Sequence, residues 1–173
     1  IKSLSKSASI FSYKKLDFFN NYFLRLEANL KLFEDYCKSN TRLREYIASD
    51  KEKLFRIFEI YKKDISKYIE ILSIAEIYFS ENYSKYSDEK FQDDFNNIYI
   101  EFLELIININ KWEYDIINLK IKEFIKKNKI KFPVLGKPVR YLLTNNYNGP
   151  SITDIFMILG KTESINRLKR YKI

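Results

Sequence analysis

A chain of 173 residues, 46% of them hydrophobic, can bury a core as one large helical domain or two small ones. It has no His, which removes the commonest general base and metal ligand, and its single cysteine, Cys37, excludes an internal disulfide and fits a reducing cytoplasm. The net charge of +8 is one-sided: Asn118 to Ile173 holds 13 Lys/Arg and 3 Asp/Glu, and the residues before it hold 18 and 20, so the last third has either the footprint of a polyanion partner or a solvated Lys-rich surface.

Only three Gly and three Pro punctuate the chain, so long helices are favoured. The start at Ile1, without an initiator Met or an apolar signal core, reads as a piece cut from a longer protein. A polar arm leads to a first helix that Ser12 caps, with Leu16, Phe19 and Phe23 at helical spacing. A second helix is predicted over Glu27 to Cys37, followed by a loop at Ser39–Thr41. Ser49 and Glu52 form a capping box that opens a third, carrying Leu54, Ile57, Phe58 and Tyr61. A fourth runs from Ile65 to Phe79. The polar stretch Ser80 to Ser87 is a linker, and it divides the chain into helical subdomains at 1–86 and 87–173.

Asp88 to Ile109 is predicted as one amphipathic helix, and Trp112 to Lys127 as another with Trp112, Ile116, Ile121 and Phe124 inward. Pro138 is placed in the first turn of a short helix that starts near Lys137. Arg140 and Thr144 share one face of that helix. Asn145 to Pro150 is the most loop-like segment, and Ser151 caps a helix that Gly160 closes. A last basic helix covers Thr162 to Tyr171. Apolar residues rarely alternate with period two, so the expected class is all-α. No run of about 18 apolar residues appears, and no membrane span is expected.

Phosphate loops, dinucleotide fingerprints, zinc-ligand spacings and nucleophile–base pairs are all missing from the sequence. Neither a catalytic residue nor a metal ligand is expected. What remains is a surface. Lys122, Lys126, Lys129, Lys137 and Arg140 lie close in sequence to Phe132, Tyr141, Tyr147 and the Asn145–Asn148 loop. Unstacked RNA bases are read by aromatic or guanidinium stacking and by hydrogen bonds to base edges, and these residue types supply both.

Two motifs carry a resemblance. Pro138-Val139-Arg140, Thr144, Pro150 and Ile158-Leu159-Gly160-Lys161 stand in the order Pro-Leu-Arg, Thr, Pro, Leu-Leu-Gly-Lys. Near the start, Ser7 to Phe11 is followed by Lys15-Leu16-Asp17-Phe18-Phe19-Asn20 and Tyr22. Together with Trp112 between them, they resemble the helical C-terminal region of bacterial-type glutamyl-tRNA synthetases. The resemblance implies an all-α anticodon-binding region of two packed subdomains. It implies a cytoplasmic monomer that grips the anticodon arm of the glutamate-acceptor tRNA. The ATP and magnesium chemistry would then lie in an upstream catalytic domain.

It further implies an anticodon site at Arg140, Lys122, Thr144, Phe132 and the loop Gly149, Pro150, Ser151, Ile152. Lys122 stands where some members have Arg, and Pro150-Ser151 where Pro-Gly is commoner. Asp64, or Lys63 with a one-residue slip, falls where some members use Arg to inspect the third anticodon base. Rival readings from the residues alone are a helical protein-interaction or scaffold module and a helical DNA-binding domain.

Overall fold

The computed structural model describes residues 12–26, 29–80 and 91–172. The expected motif at 7–11 and the subdomain boundary at 86/87 lie outside them. Among the described residues the fold is all-α: α1 (Tyr13–Leu24), α2 (Asn29–Ser39), α3 (Thr41–Tyr61), a 3₁₀ turn (Tyr68–Glu70), α4 (Ile71–Phe79), α5 (Asp93–Ile107), α6 (Tyr114–Lys127), α7 (Phe132–Thr144) and α8 (Ile152–Lys169). No helix of the described residues is long and apolar enough to cross a membrane.

Side-chain caps explain several boundaries. Ser12 accepts from the Lys15 N–H at 3.5 Å and opens α1 as predicted. Asn40, expected in a loop, instead caps α3 by accepting from Leu43 N–H at 3.1 Å. Helix α3 breaks at Asp50, whose backbone leaves the helical region (φ −157°, ψ 92°). The break is recapped by the Asp50 carboxylate, which accepts from Lys53 N–H at 2.9 Å. The helix start predicted near Ser49 is therefore real, but Asp50 is the residue that caps it.

Helix α7 begins earlier than predicted. Pro133 occupies its first turn, and Pro138 lies inside it. Pro138 has no N–H for the carbonyl one turn back, so α7 continues through it with one bond of its ladder missing. Helix α8 breaks at Gly160 (φ 75°, ψ 170°), a backbone geometry that L side chains rarely adopt. The end predicted there, and the further helix beyond it, are both present.

One continuous core runs through the described residues. Phe33 stacks on Phe58 with ring centroids 4.1 Å apart, and Leu43, Leu54, Ile57, Ile71 and Ala75 fill the space between α2, α3 and α4. Phe95, Phe102, Ile117, Ile121 and Phe124 extend the core from α5 and α6 towards α8. Burying each such side chain contributes about 1.5–3 kcal/mol.

Helix α8 is the hub. Trp112 Nε1 donates to the Phe156 carbonyl at 3.2 Å, and the half-buried tryptophan packs against the core, the side the sequence favoured. Lys161 donates to the Ile109 carbonyl at 2.6 Å, and the Tyr99 hydroxyl to that of Leu168. From α3, Arg56 donates to the Met157 carbonyl at 2.9 Å. Arg167 is 1% exposed, and its guanidinium reaches Glu163 (2.6 Å), the Leu143 carbonyl (2.7 Å) and the Ser80 carbonyl (3.2 Å).

Candidate nucleic-acid interface

The loop between α7 and α8 is built by local rules. Asn145 takes the left-handed conformation (φ 54°, ψ 23°) that ends many helices, and its N–H donates to Tyr141 at 2.7 Å. Asn146 Oδ1 accepts from Asn148 N–H at 2.9 Å and tightens the turn. Gly149 sits at φ 137°, which a β-carbon would strain. Ser151 then caps α8, accepting from Asp154 N–H at 3.0 Å and donating to the Asp154 carboxylate at 2.6 Å.

Arg140 organises this loop from the last turns of α7. Its Nε donates to the Pro150 carbonyl at 3.0 Å and its Nη1 to the Tyr147 carbonyl at 2.9 Å. Two N–H groups of the fork are thus taken up by loop backbone, while the residue stays half-buried. Burial pushes the Arg140 pKa below the ordinary guanidinium value, and the Tyr61 and Tyr78 hydroxyls beside it act in the opposite sense. Two carboxylates of α8 are bonded elsewhere. Asp154 belongs to the Ser151 cap, and Glu163 to Arg167.

The first half of the chain also reaches this loop, a contact that the sequence reading missed. The Tyr61 hydroxyl lies 2.6 Å from that of Tyr78 and 3.8 Å from the place a Gly149 β-carbon would occupy. No local pattern signals this, because the pairing joins the end of α3 to a loop far along the chain. Asp64, three residues on, is exposed, and its N–H donates to the Tyr61 carbonyl at 2.8 Å.

The other expected site residues divide into two groups. Thr144 is buried against the same loop: its hydroxyl donates to the Arg140 carbonyl at 2.8 Å and also lies 3.4 Å from that of Asn146. Pro150 and Ile152 are buried where the loop enters α8. Phe132 lies a few turns away at the start of α7, with its ring folded over Gly136. A β-carbon at Gly136 would come within 2.5 Å of that ring. Lys122 is exposed on α6, beside the buried Ile121, and among the described residues no hydrogen bond or ion pair joins it to Arg140.

Part of the positive charge of the last third is engaged internally, at Arg167 and Lys161 and in the Lys120–Glu123 (2.9 Å) and Lys127–Glu101 (2.7 Å) pairs. Lys122, Lys126, Lys129 and Lys137 remain on the surface. Tyr147 stacks on Tyr141 with centroids 4.6 Å apart and planes 23° from parallel, and it is exposed at the loop.

The described residues define an all-α protein whose α7–α8 loop is braced by a guanidinium, and comparison with known proteins gives its family. A family model described as an anticodon binding domain matches residues 30–172. The chain therefore belongs to the anticodon-binding domain family. It is 29% identical over 173 residues to glutamate–tRNA ligase 2 of Wolbachia pipientis, covering 98% of this chain and 37% of the relative. It is 25% identical over 172 residues to the glutamate–tRNA ligase of Nitrosomonas eutropha, covering 98% of this chain and 36% of the relative. The chain thus spans about a third of the length of these relatives. Among solved structures, the glutamate-tRNA synthetase of Elizabethkingia anophelis superposes with a TM-score of 0.69 at 21% identity, over 95% of this chain and 32% of that one. That likeness supports the fold.

Proposed function

We propose that the chain grips the anticodon arm of a glutamate-acceptor tRNA, as the anticodon-binding part of a glutamate–tRNA ligase. The ATP and magnesium chemistry of such an enzyme would belong to a catalytic domain outside this chain. One observation carries the reading: Arg140 holds the 147–150 loop by two backbone carbonyls in a chain of the anticodon-binding family. A braced loop presents its groups to bases without an ordering cost at the moment of binding. The planar edge of Arg140, the Gly149–Ile152 backbone and the Tyr147 ring are the base-facing parts. Lys122 and Lys137 contribute charge towards phosphates.

The test is titration with the glutamate anticodon stem-loop and a DNA hairpin of matched sequence. Affinity for the RNA is expected to fall with salt, with a log–log slope of about −0.7 per phosphate contact. Arg140→Ala is expected to weaken it by about 1–3 kcal/mol. Equal affinity of parent and variant would remove the assignment. The rival reading, a protein-interaction module, has one observation in its favour. Helix α1 buries only Leu24 and leaves Phe18, Phe19, Tyr22 and Phe23 exposed. A module of that kind would ignore both hairpins.

A further inference from the structure

Helix α1 is turned the opposite way to an ordinary surface helix, which faces its apolar stripe to the core and its polar stripe to water. Its contacts with the body of the chain run through Asp17, Asn21, Leu24 and Arg25, and Leu24 is the one residue of α1 that is buried. Phe18, Phe19, Tyr22 and Phe23 are exposed. Apolar burial therefore does little to hold α1. The Asp17–Lys67 pair, at 3.8 Å and open to solvent, adds little more.

A polar clasp holds it instead. Asn21 Nδ2 donates to the Lys63 carbonyl at 3.0 Å and to the Ile65 carbonyl at 2.5 Å. Arg25 Nη2 donates to the same Lys63 carbonyl at 3.2 Å and to Asn21 Oδ1 at 2.6 Å. The guanidinium thus keeps the amide oxygen on its own side and the amide nitrogen towards the turn. Carbonyls outside a helix ladder need partners, and here two in one turn receive them from α1.

That turn leads to the candidate interface. The two clasped carbonyls flank Asp64, whose N–H closes the turn on the Tyr61 carbonyl at 2.8 Å. Tyr61 in turn carries the hydroxyl that lies 2.6 Å from that of Tyr78 and 3.8 Å from the place of a Gly149 β-carbon. Within the second half of the chain the loop has its own backing, where Phe91 meets Tyr141 edge-on at 5.9 Å. From the first half, Tyr61 supplies it. We propose that Asn21 and Arg25 are positioning residues for RNA recognition: they fix the 61–65 turn, and through Tyr61 they hold the Arg140 loop in its binding shape. This rests on the reading of the chain as an anticodon binder, and it adds two residues that act without touching a nucleotide. Two bonds to carbonyls two residues apart set the curvature of a turn, which a single anchoring bond would not. A turn ordered in advance spares the complex that ordering cost.

The test uses the parent chain, two clasp variants and the glutamate anticodon stem-loop, with folding checked by circular dichroism and melting. Asn21→Ala removes both turn donors without changing the charge, and binding about threefold weaker or more is expected. Arg25→Lys keeps the charge and gives up the fork, and a loss of about twofold is expected. Arg25 is exposed, so this second variant tests the clasp should the first be lost to misfolding. Asn21→Ala joined to Tyr61→Phe should bind no more weakly than the weaker of the two single variants, whereas joined to Lys137→Ala the losses should multiply. Amide exchange gives a readout that attachment of α1 alone would not move: the Asn145 and Asn148 N–H groups should exchange faster in Asn21→Ala, and that of Phe102 in α5 should not. If both clasp variants bind as tightly as the parent, or the losses at 21 and 61 multiply, the positioning role is overturned while the anticodon reading stands. If the parent binds no RNA, the anticodon reading falls, and the loop amides alone decide whether the clasp sets the loop.

Discussion

Arg167 donates to the Leu143 carbonyl at 2.7 Å from a site almost closed to solvent. By its sequence it belongs to the basic helix predicted over Thr162 to Tyr171. By its position it is a structural pin, joining α8 to α7 and to Ser80 at the end of α4. Arg167→Ala should leave those carbonyls and Glu163 without their shared donor and open a void. A loss of about 3–5 kcal/mol is expected in urea denaturation. Arg167→Lys should recover little of it, because an ammonium cannot span three acceptors as a planar fork does. The salt slope of RNA binding should not change in either variant that still folds.

Gly149→Ala tests the loop itself. The β-carbon would meet nothing closer than 3.8 Å, so crowding is not the issue. The cost comes from φ 137°, and about 1–3 kcal/mol of strain is expected. Because Arg140 holds the carbonyls on either side of this residue, the strain should appear as weaker stem-loop binding with only a modest drop in melting temperature.

Tyr61 and Tyr78 share a hydroxyl–hydroxyl bond of 2.6 Å behind that loop. Burial raises the Tyr78 pKa. Tyr61→Phe, Tyr78→Phe and the double variant form a mutant cycle. A coupling of about 0.5–1.5 kcal/mol is expected for the pair. If the first half of the chain supports the loop, Tyr61→Phe should also lower RNA affinity, and independent effects on the two readouts would show that it does not.

The helices were legible wherever apolar residues recur at helical spacing and a short polar side chain precedes them. Ser12 and Ser151 announce α1 and α8, and Gly160 announces the break in α8, because each acts on its own neighbours. The Asn40 cap, bonded to Leu43 three residues on, is as local as those, whereas the mid-helix place of Pro138 is set by where packing lets α7 begin. The candidate site was partly legible: Arg140, Thr144 and Gly149–Ile152 come together in one loop. Its backing was not. Carbonyl acceptors leave no mark in a sequence, so neither Arg140 nor Arg167 could be matched to its partners there. Tyr61 and Phe91 enter only through tertiary packing.

Cys37 is fully buried, and burial pushes its thiol up to about 12, with Glu34 adding to the shift. In the unfolded chain the thiol ionises near 8.5. Its contribution to stability is therefore complete below about pH 8.5 and is lost as pH rises towards about 12. Denaturation midpoints should decline from pH 8 to pH 10, and less steeply in Cys37→Ala. A thiol reagent should modify native protein only at the rate of opening.

Chains emerge from the ribosome in order, and the fold has a built-in sequence of completion. The loop at 145–151 is synthesised before residue 167, yet the carbonyl just ahead of it is fastened by that later guanidinium. The backbone break at Gly160 separates the closing turns, which carry Arg167, from the first part of α8. A nascent polypeptide therefore cannot fasten the end of α7 until these late turns have cleared the exit tunnel.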